Sequence, residues 1–282
     1  MSVYLIIVIA LFILAISDLV VGVSNDAANF INSSVGSRAA PLKVILSIAG
    51  LGVILGATFS SGMMEIARSG IFHPGQFYFS EIMIIFLAVM ITDVILLDTF
   101  NALGFPTSTT VSIVFELLGA AVAIALVKIH NSADTLSDIG SYINTAKAMA
   151  IIFGILFSVV VAFAFGTAIQ FITRLIFSFD YKKYLKYFGA PWGGLAISAI
   201  VYFILVKGAK GASFMTPEAL AWLGANTFKV LLFSFILITA ILQILISFFR
   251  INILRIIVLA GTFSLAMAFA GNDLVNFIGV PL

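Results

Sequence analysis

Two short stretches of this chain carry the same polar residues at the same spacing. Ser24–Asn25–Asp26–Ala27–Ala28–Asn29–Phe30–Ile31 and Gly271–Asn272–Asp273–Leu274–Val275–Asn276–Phe277–Ile278 both read N-D-x-x-N-F-I. Residues three and four apart share a helix face, so Asn25, Asp26 and Asn29 can point one way, as can Asn272, Asp273 and Asn276. Each trio offers amide oxygens and one carboxylate. That hard-oxygen set suits an alkali cation such as sodium and lacks the imidazoles or thiolates a transition metal prefers. A single copy would read better as a polar cap on a helix that breaks there. Two matched copies favour a binding centre.

A second polar run, Asn101–Ala–Leu–Gly–Phe–Pro–Thr–Ser–Thr–Thr110, lies between two apolar segments. Gly104 and Pro106 should stop the incoming helix, and the hydroxyls of Thr107, Ser108, Thr109 and Thr110 should open the next. Free N–H groups and hydroxyls at a helix start can hold an oxyanion, because the dipole there is positive. One Ser or Thr would suffice for an ordinary cap, and four in a row point to an anion site. The run contains no Lys or Arg. A cation centre beside an anion centre suggests cation–anion cotransport.

The elements that position these residues follow from composition. The chain has 282 residues, 62% hydrophobic and 9% charged, with 28 Phe, 22 Gly and no Cys. So apolar a surface could not be kept in water, which excludes a soluble enzyme, a disordered chain and a nucleic-acid binder, and leaves a polytopic membrane protein. Without Cys there is no disulfide or thiolate metal site. Allowing roughly 20 residues per span, this length suggests about eight segments. Apolar runs at about Val3–Ser17, Leu42–Ser60, Glu81–Phe100, Val111–Val127, Ala146–Phe177, Pro191–Val206, Val230–Phe249 and Ile251–Ala270 supply them. All must be helical, since lipid satisfies no open backbone group. Small residues at Gly52 and Gly56 fit close helix packing.

Basic residues sit mostly in loops. Arg38, Lys43, Arg174, Lys182, Lys183, Lys186, Arg250 and Arg255 fall on one side, and Arg68, Lys128, Lys147, Lys207, Lys210 and Lys229 on the other. The cluster Lys182–Lys186 marks the first side as cytoplasmic and places the N-terminus outside. The acids Asp18, Asp26, Asp93, Asp98, Glu116 and Asp273 instead lie within or at the ends of apolar segments. Carboxylates at that depth are costly and mark ion paths or proton relays, so cation or proton coupling is expected.

An odd number of crossings separates the two N-D-x-x-N copies, so they should run in opposite directions. Inverted repeats with interrupted helices near the midplane are the architecture of secondary transporters. The Phe105–Thr110 loop, short and flanked by apolar runs, fits the tip of a re-entrant hairpin.

These motifs carry a resemblance. Gly22–Val–Ser–Asn–Asp–Ala–Ala–Asn29, continuing to Ser34–Val–Gly–Ser37, closely resembles the signature of the inorganic phosphate transporter (PiT) family. Phe105–Pro–Thr–Ser–Thr–Thr110 resembles its hairpin tip, and Gly271–Pro281 its second-repeat signature. The first copy departs at Ser24, where the family usually has Gly beside the Asn. The resemblance spans essentially the whole chain. It implies sodium- or proton-coupled symport of inorganic phosphate by alternating access, with no other cofactor, in a homodimer. A bacterial inner membrane, among energised membranes, is the expected location. By resemblance, Asn25, Asp26, Asn29, Asn272, Asp273 and Asn276 would hold sodium. Thr107, Ser108, Thr109 and Thr110, with Asn25 and Asn272, would hold phosphate.

The expected fold is thus an all-α polytopic inverted-repeat transporter. Residues 1–128 form the first repeat, 129–250 connecting helices and 251–282 the start of a second, incomplete repeat. Family members carry a second hairpin after the second signature, and this chain ends at Leu282 before one. The expectation is therefore the N-terminal portion of a longer transporter. A sulfate permease of the same broad family and a non-transporting membrane subunit are the alternatives. An enzyme is not expected, because His73 and His130 lie in loops with no paired nucleophile or metal-spaced ligand.

Overall fold

The computed structural model describes residues 3–58, 71–105, 107–132, 139–178, 181–207, 216–249 and 252–279. The helices are α1 (Val3–Gly36), α2 (Leu42–Thr58), α3 (Phe79–Leu103), α4 (Thr109–Ser132), α5 (Ile139–Tyr142), α6 (Thr145–Phe177), α7 (Tyr181–Tyr202), α8 (Pro217–Phe249) and α9 (Ile253–Gly279). Among the described residues, seven are long and apolar enough to cross a membrane, and α2 is a shorter apolar helix. Each of the eight apolar runs of the sequence lies largely within one of these helices. At 17 residues α2 is about 25 Å long, just under a hydrocarbon core of about 30 Å.

The helices carrying the two signatures are not interrupted there. α1 runs through Asn25–Asn29 and α9 through residues 272–279. The reason lies in the residues. No Pro falls in either stretch, and the Ser24 hydroxyl donates back to the Val20 carbonyl at 2.7 Å, a bond compatible with a continuing helix. The break comes instead between α3 and α4. Gly104 takes a left-handed conformation (φ 70°) that a Cβ would disfavour, and the Gly104 and Phe105 N–H groups close onto the Asn101 and Phe100 carbonyls.

The chain divides into two compact units, and α1, α6 and α9 each contribute to both. The first contains residues 1–29, 63–157 and 272–282. Here α3 and α4 form an antiparallel hairpin. The buried apolar residues of α4, Ile113, Leu117, Ala121, Ala125 and Ile129, recur every four positions and so form one stripe. At the open end of the hairpin Lys128 donates to Glu81 at 2.8 Å and to the Gln76 carbonyl at 3.0 Å, with its ammonium 4.5 Å from the Tyr78 ring centroid. Tyr4 of α1 stacks near Phe79 at the start of α3, at 6.2 Å between centroids. About twenty residues later Val21 and Asn25 meet Asn101, so α1 and α3 run in parallel and in step.

The second unit, residues 30–62 and 158–271, is organised by small residues. A Cβ on Gly52 would stand 2.5 Å from the Phe263 carbonyl oxygen, and one on Gly56 would collide with that of Met267. The close packing expected at these glycines is therefore between α2 and α9. Ser34 and Thr262, both fully buried, bring their hydroxyls to 2.5 Å. Helices α7 and α8 pack through Gly193 and Gly194 against Leu242 and Thr239. Large apolar side chains such as Phe163, Phe228 and Phe248 remain on the outside, each at least 75% exposed. Their solvent is lipid.

Candidate functional site

The hairpin tip is bound to the first signature by side chains. The Asn25 amide donates to Asn101 Oδ1 at 2.7 Å and, more weakly, to the Phe105 carbonyl at 3.4 Å. Its own oxygen accepts the Thr107 backbone N–H at 3.1 Å. Asn101 completes the tie by donating to the Val21 carbonyl at 3.0 Å. Asn25 thus satisfies one donor and one acceptor of an irregular loop that lipid could not satisfy.

Asp26, one residue on, is also buried. One carboxylate oxygen accepts the Thr109 hydroxyl at 3.1 Å and the other accepts the Asn29 amide at 3.2 Å. Thr109 is the first residue of α4, so the carboxylate lies beside a helix N-terminus, where the dipole favours negative charge. Ser108 precedes it as a cap, its Oγ accepting the Val111 N–H at 3.4 Å. Of the hydroxyl run, Thr109 is buried, Thr107 and Thr110 are half-buried and Ser108 is exposed. Pro106 lies outside the described residues.

The structure therefore brings Asn25, Asp26 and Asn29 together with Thr107, Ser108 and Thr109. Asn29 is exposed, reaching back along its own helix to Asp26. For the second copy, residues 272–279 belong to the same compact unit as Asn25–Asn29. The side chains of Asn272, Asp273 and Asn276 lie outside the described residues. Asn101 is the one site residue the spacing arguments passed over. Its signal was its place at the head of the hairpin motif, four residues before Phe105. Of the remaining acids, Asp98 is exposed, whereas Asp18 and Asp93 are fully buried.

Long apolar helices, a helical hairpin broken at a hydroxyl-rich tip and a polar signature docked on that tip define a multi-pass membrane protein of the transporter class. A family model described as the phosphate transporter family matches residues 22–282. The chain belongs to that family.

Two archaeal proteins bearing the provisional name phosphate permease are similar to it. One, from Pyrococcus abyssi, is 30% identical over 192 residues, covering 67% of this chain and 45% of that protein. The other, from Thermococcus kodakarensis, is 28% identical over 196 residues, covering 68% and 45%. A Mycobacterium tuberculosis protein with the same provisional name is 33% identical over 106 residues, 36% of this chain and 19% of that one. The chain spans less than half the length of these relatives. A solved structure titled "The sodium-dependent phosphate transporter" shares the fold with a TM-score of 0.74 at 19% identity, over 98% of this chain and 66% of that one.

Proposed function

We propose that this chain carries out the cation-coupled symport of inorganic phosphate by alternating access, as the first repeat and the opening of the second in a transporter of this family. The observation that carries the reading is the buried carboxylate of Asp26 held against the first residue of α4. The helix start and the hydroxyls of Thr107, Ser108, Thr109 and Thr110 suit a tetrahedral oxyanion. The carboxylate beside them does not. At an effective dielectric of about 20, two unit charges some 5 Å apart repel by about 3 kcal/mol. A sodium ion held by Asp26, Asn25 and Asn29, joined by Asn272, Asp273 and Asn276, turns that repulsion into attraction. Anion binding then requires the cation, which is the thermodynamic content of symport.

The name of the solved neighbour, a sodium-dependent phosphate transporter, supports sodium as the coupling ion. The same reading takes residues 1–128 and 251–282 as parts of two inverted repeats. It also takes a homodimer in an inner membrane, with the N-terminus outside. The test is labelled phosphate uptake by proteoliposomes holding the 282-residue chain, with and without an inward sodium gradient, and with sulfate as competitor. Sodium-dependent uptake lost in both Asp26→Asn and Asp273→Asn is expected. Uptake retained in both variants refutes the site. Equal competition by sulfate refutes phosphate selectivity, and no uptake by the unmutated chain refutes transport by this chain alone.

A further inference from the structure

Three acids on three helices of the first unit lie near one another, away from the hairpin tip. Asp18 lies on α1, Asp93 on α3 and Glu116 on α4, and Asp18 and Asp93 are completely buried. Ser112 Oγ sits between two of them, 2.6 Å from Asp93 Oδ1 and 2.8 Å from Glu116 Oε1. The Asp18 carboxyl lies within electrostatic reach of both Asp93 and Glu116. Neither Asp18 oxygen has a hydrogen-bond partner, and Asp93 Oδ2 and Glu116 Oε2 lack one as well. Among the described residues no Lys, Arg or His pairs with any of the three. Of the basic residues of α4, Lys128 is engaged with Glu81 about 18 Å further along the helix, and His130, in the last turn of α4 rather than in the expected loop, lies two residues beyond it.

Proton counting decides what this arrangement is. A serine hydroxyl carries one hydrogen, yet Ser112 makes two short contacts to carboxyl oxygens. The second needs a hydrogen of its own, and only a carboxyl can supply it. Asp18 states the same requirement independently: a fully buried carboxylate without a donor is among the most costly groups in a protein. A hydrogen on Asp18 or Asp93 gives each an acceptor in the other. Three ionised carboxylates this close would repel one another with nothing to offset them. A metal ion would relieve the charge too, but among the described residues no group of three Asp, Glu, His or Cys is placed to hold one.

We infer that Asp18, Asp93, Ser112 and Glu116 form a proton-binding site in the membrane-spanning part of the protein, distinct from the Asp26 centre about 12 Å along α1. Acids that face one another with no basic partner share protons as a set, and Ser112 links two of them. The site lies on the two arms of the hairpin, whose tip the signature grips, so taking up or releasing a proton changes the charge between the helices that carry the phosphate-binding tip. This coupling rests on the transport reading above; the proton site itself does not.

Two measurements on the 282-residue chain in lipid vesicles test the inference. The first is the infrared carbonyl band of protonated carboxyl groups, followed through a pH titration in Asp18→Asn, Asp93→Asn, Glu116→Gln and, as an exposed control, Asp98→Asn. A band present at neutral pH, lost or shifted in the first three variants, unchanged in the control and indifferent to sodium is expected. No such band, a band untouched by all three buried-site variants, or one erased by sodium overturns the proton site. Three shape-conserving variants keep the test intact if one of them fails to fold. The second is phosphate uptake driven by an inward proton gradient with sodium equal on both sides. Stimulation lost in Asp18→Asn and Glu116→Gln is expected, and uptake indifferent to the proton gradient overturns the coupling. If the unmutated chain takes up no phosphate while the infrared band behaves as expected, the transport reading fails and the proton site stands.

Discussion

Thr109 Oγ1 lies 3.1 Å from Asp26 Oδ2, so the first residue of α4 donates to a buried carboxylate of α1. This bond makes one unit of two motifs that are more than 80 residues apart. It aims the α4 N-terminus at a place already occupied by negative charge. On the transport reading proposed above, cation dependence is expected from that placement.

Removing the Thr109 donor separates position from charge. A hydrogen bond to a charged group contributes about 1.5–3 kcal/mol, so Thr109→Val is expected to weaken cation-dependent phosphate binding by roughly 10- to 100-fold. Thr109→Ser, which keeps the hydroxyl, should stay near the unmutated value. Titration calorimetry with phosphate at fixed sodium reads both variants. Equal losses in the two would show that shape, not the hydroxyl, matters.

Asn25 and Asn101 should behave as one group. Their 2.7 Å bond joins signature to hairpin, and each also holds backbone of the other's segment. Alanine at either position leaves the other amide without its partner, so a double-mutant cycle should give a coupling of about 0.5–3 kcal/mol. Denaturant unfolding in micelles measures it. Strictly additive losses would mean the tip is held elsewhere.

Gly50 and Gly56 occupy the same helix with opposite surroundings. A Cβ at Gly50 meets nothing within 4 Å, whereas one at Gly56 meets the Met267 carbonyl and the Ala270 side chain. Gly50→Ala should be neutral or stabilising by up to about 1 kcal/mol through helix propensity. Gly56→Ala should cost about 1–3 kcal/mol, since a backbone carbonyl on α9 has to move. Thermal unfolding in detergent ranks the two, and the reverse order would contradict the α2–α9 contact.

Lys128 closes the open end of the hairpin with an ion pair, a carbonyl and an aromatic face. Lys128→Met keeps the stem and drops the charge, and should cost about 1–2 kcal/mol. Lys128→Arg should recover part of it. The same thermal assay decides, and no loss in the methionine variant would make the clamp ornamental.

Much of this was legible residue by residue. Hydropathy placed the apolar helices because a bilayer imposes its demand locally, on each stretch of about 20 residues. Gly104 was readable as a helix stop because the conformation it takes belongs to that residue type. The breaks expected at the signatures were not found, because Asn and Asp can cap a helix or face a partner. Which they do depends on whether a partner stands opposite, as Asn101 and Thr109 do for Asn25 and Asp26.

By itself the sequence determined the solvent, the secondary structure and the two polar motifs, all consequences of nearest neighbours and short periods. Tertiary structure alone decided that Asn25 grips the hairpin tip and that Asp93 and Glu116 meet at Ser112 with Asp18 within electrostatic reach of both. Those acids sit on separate helices, up to 98 positions apart. No local spacing encodes such a meeting. It is set by the register at which α1, α3 and α4 pack, and that register exists only once the helices are together.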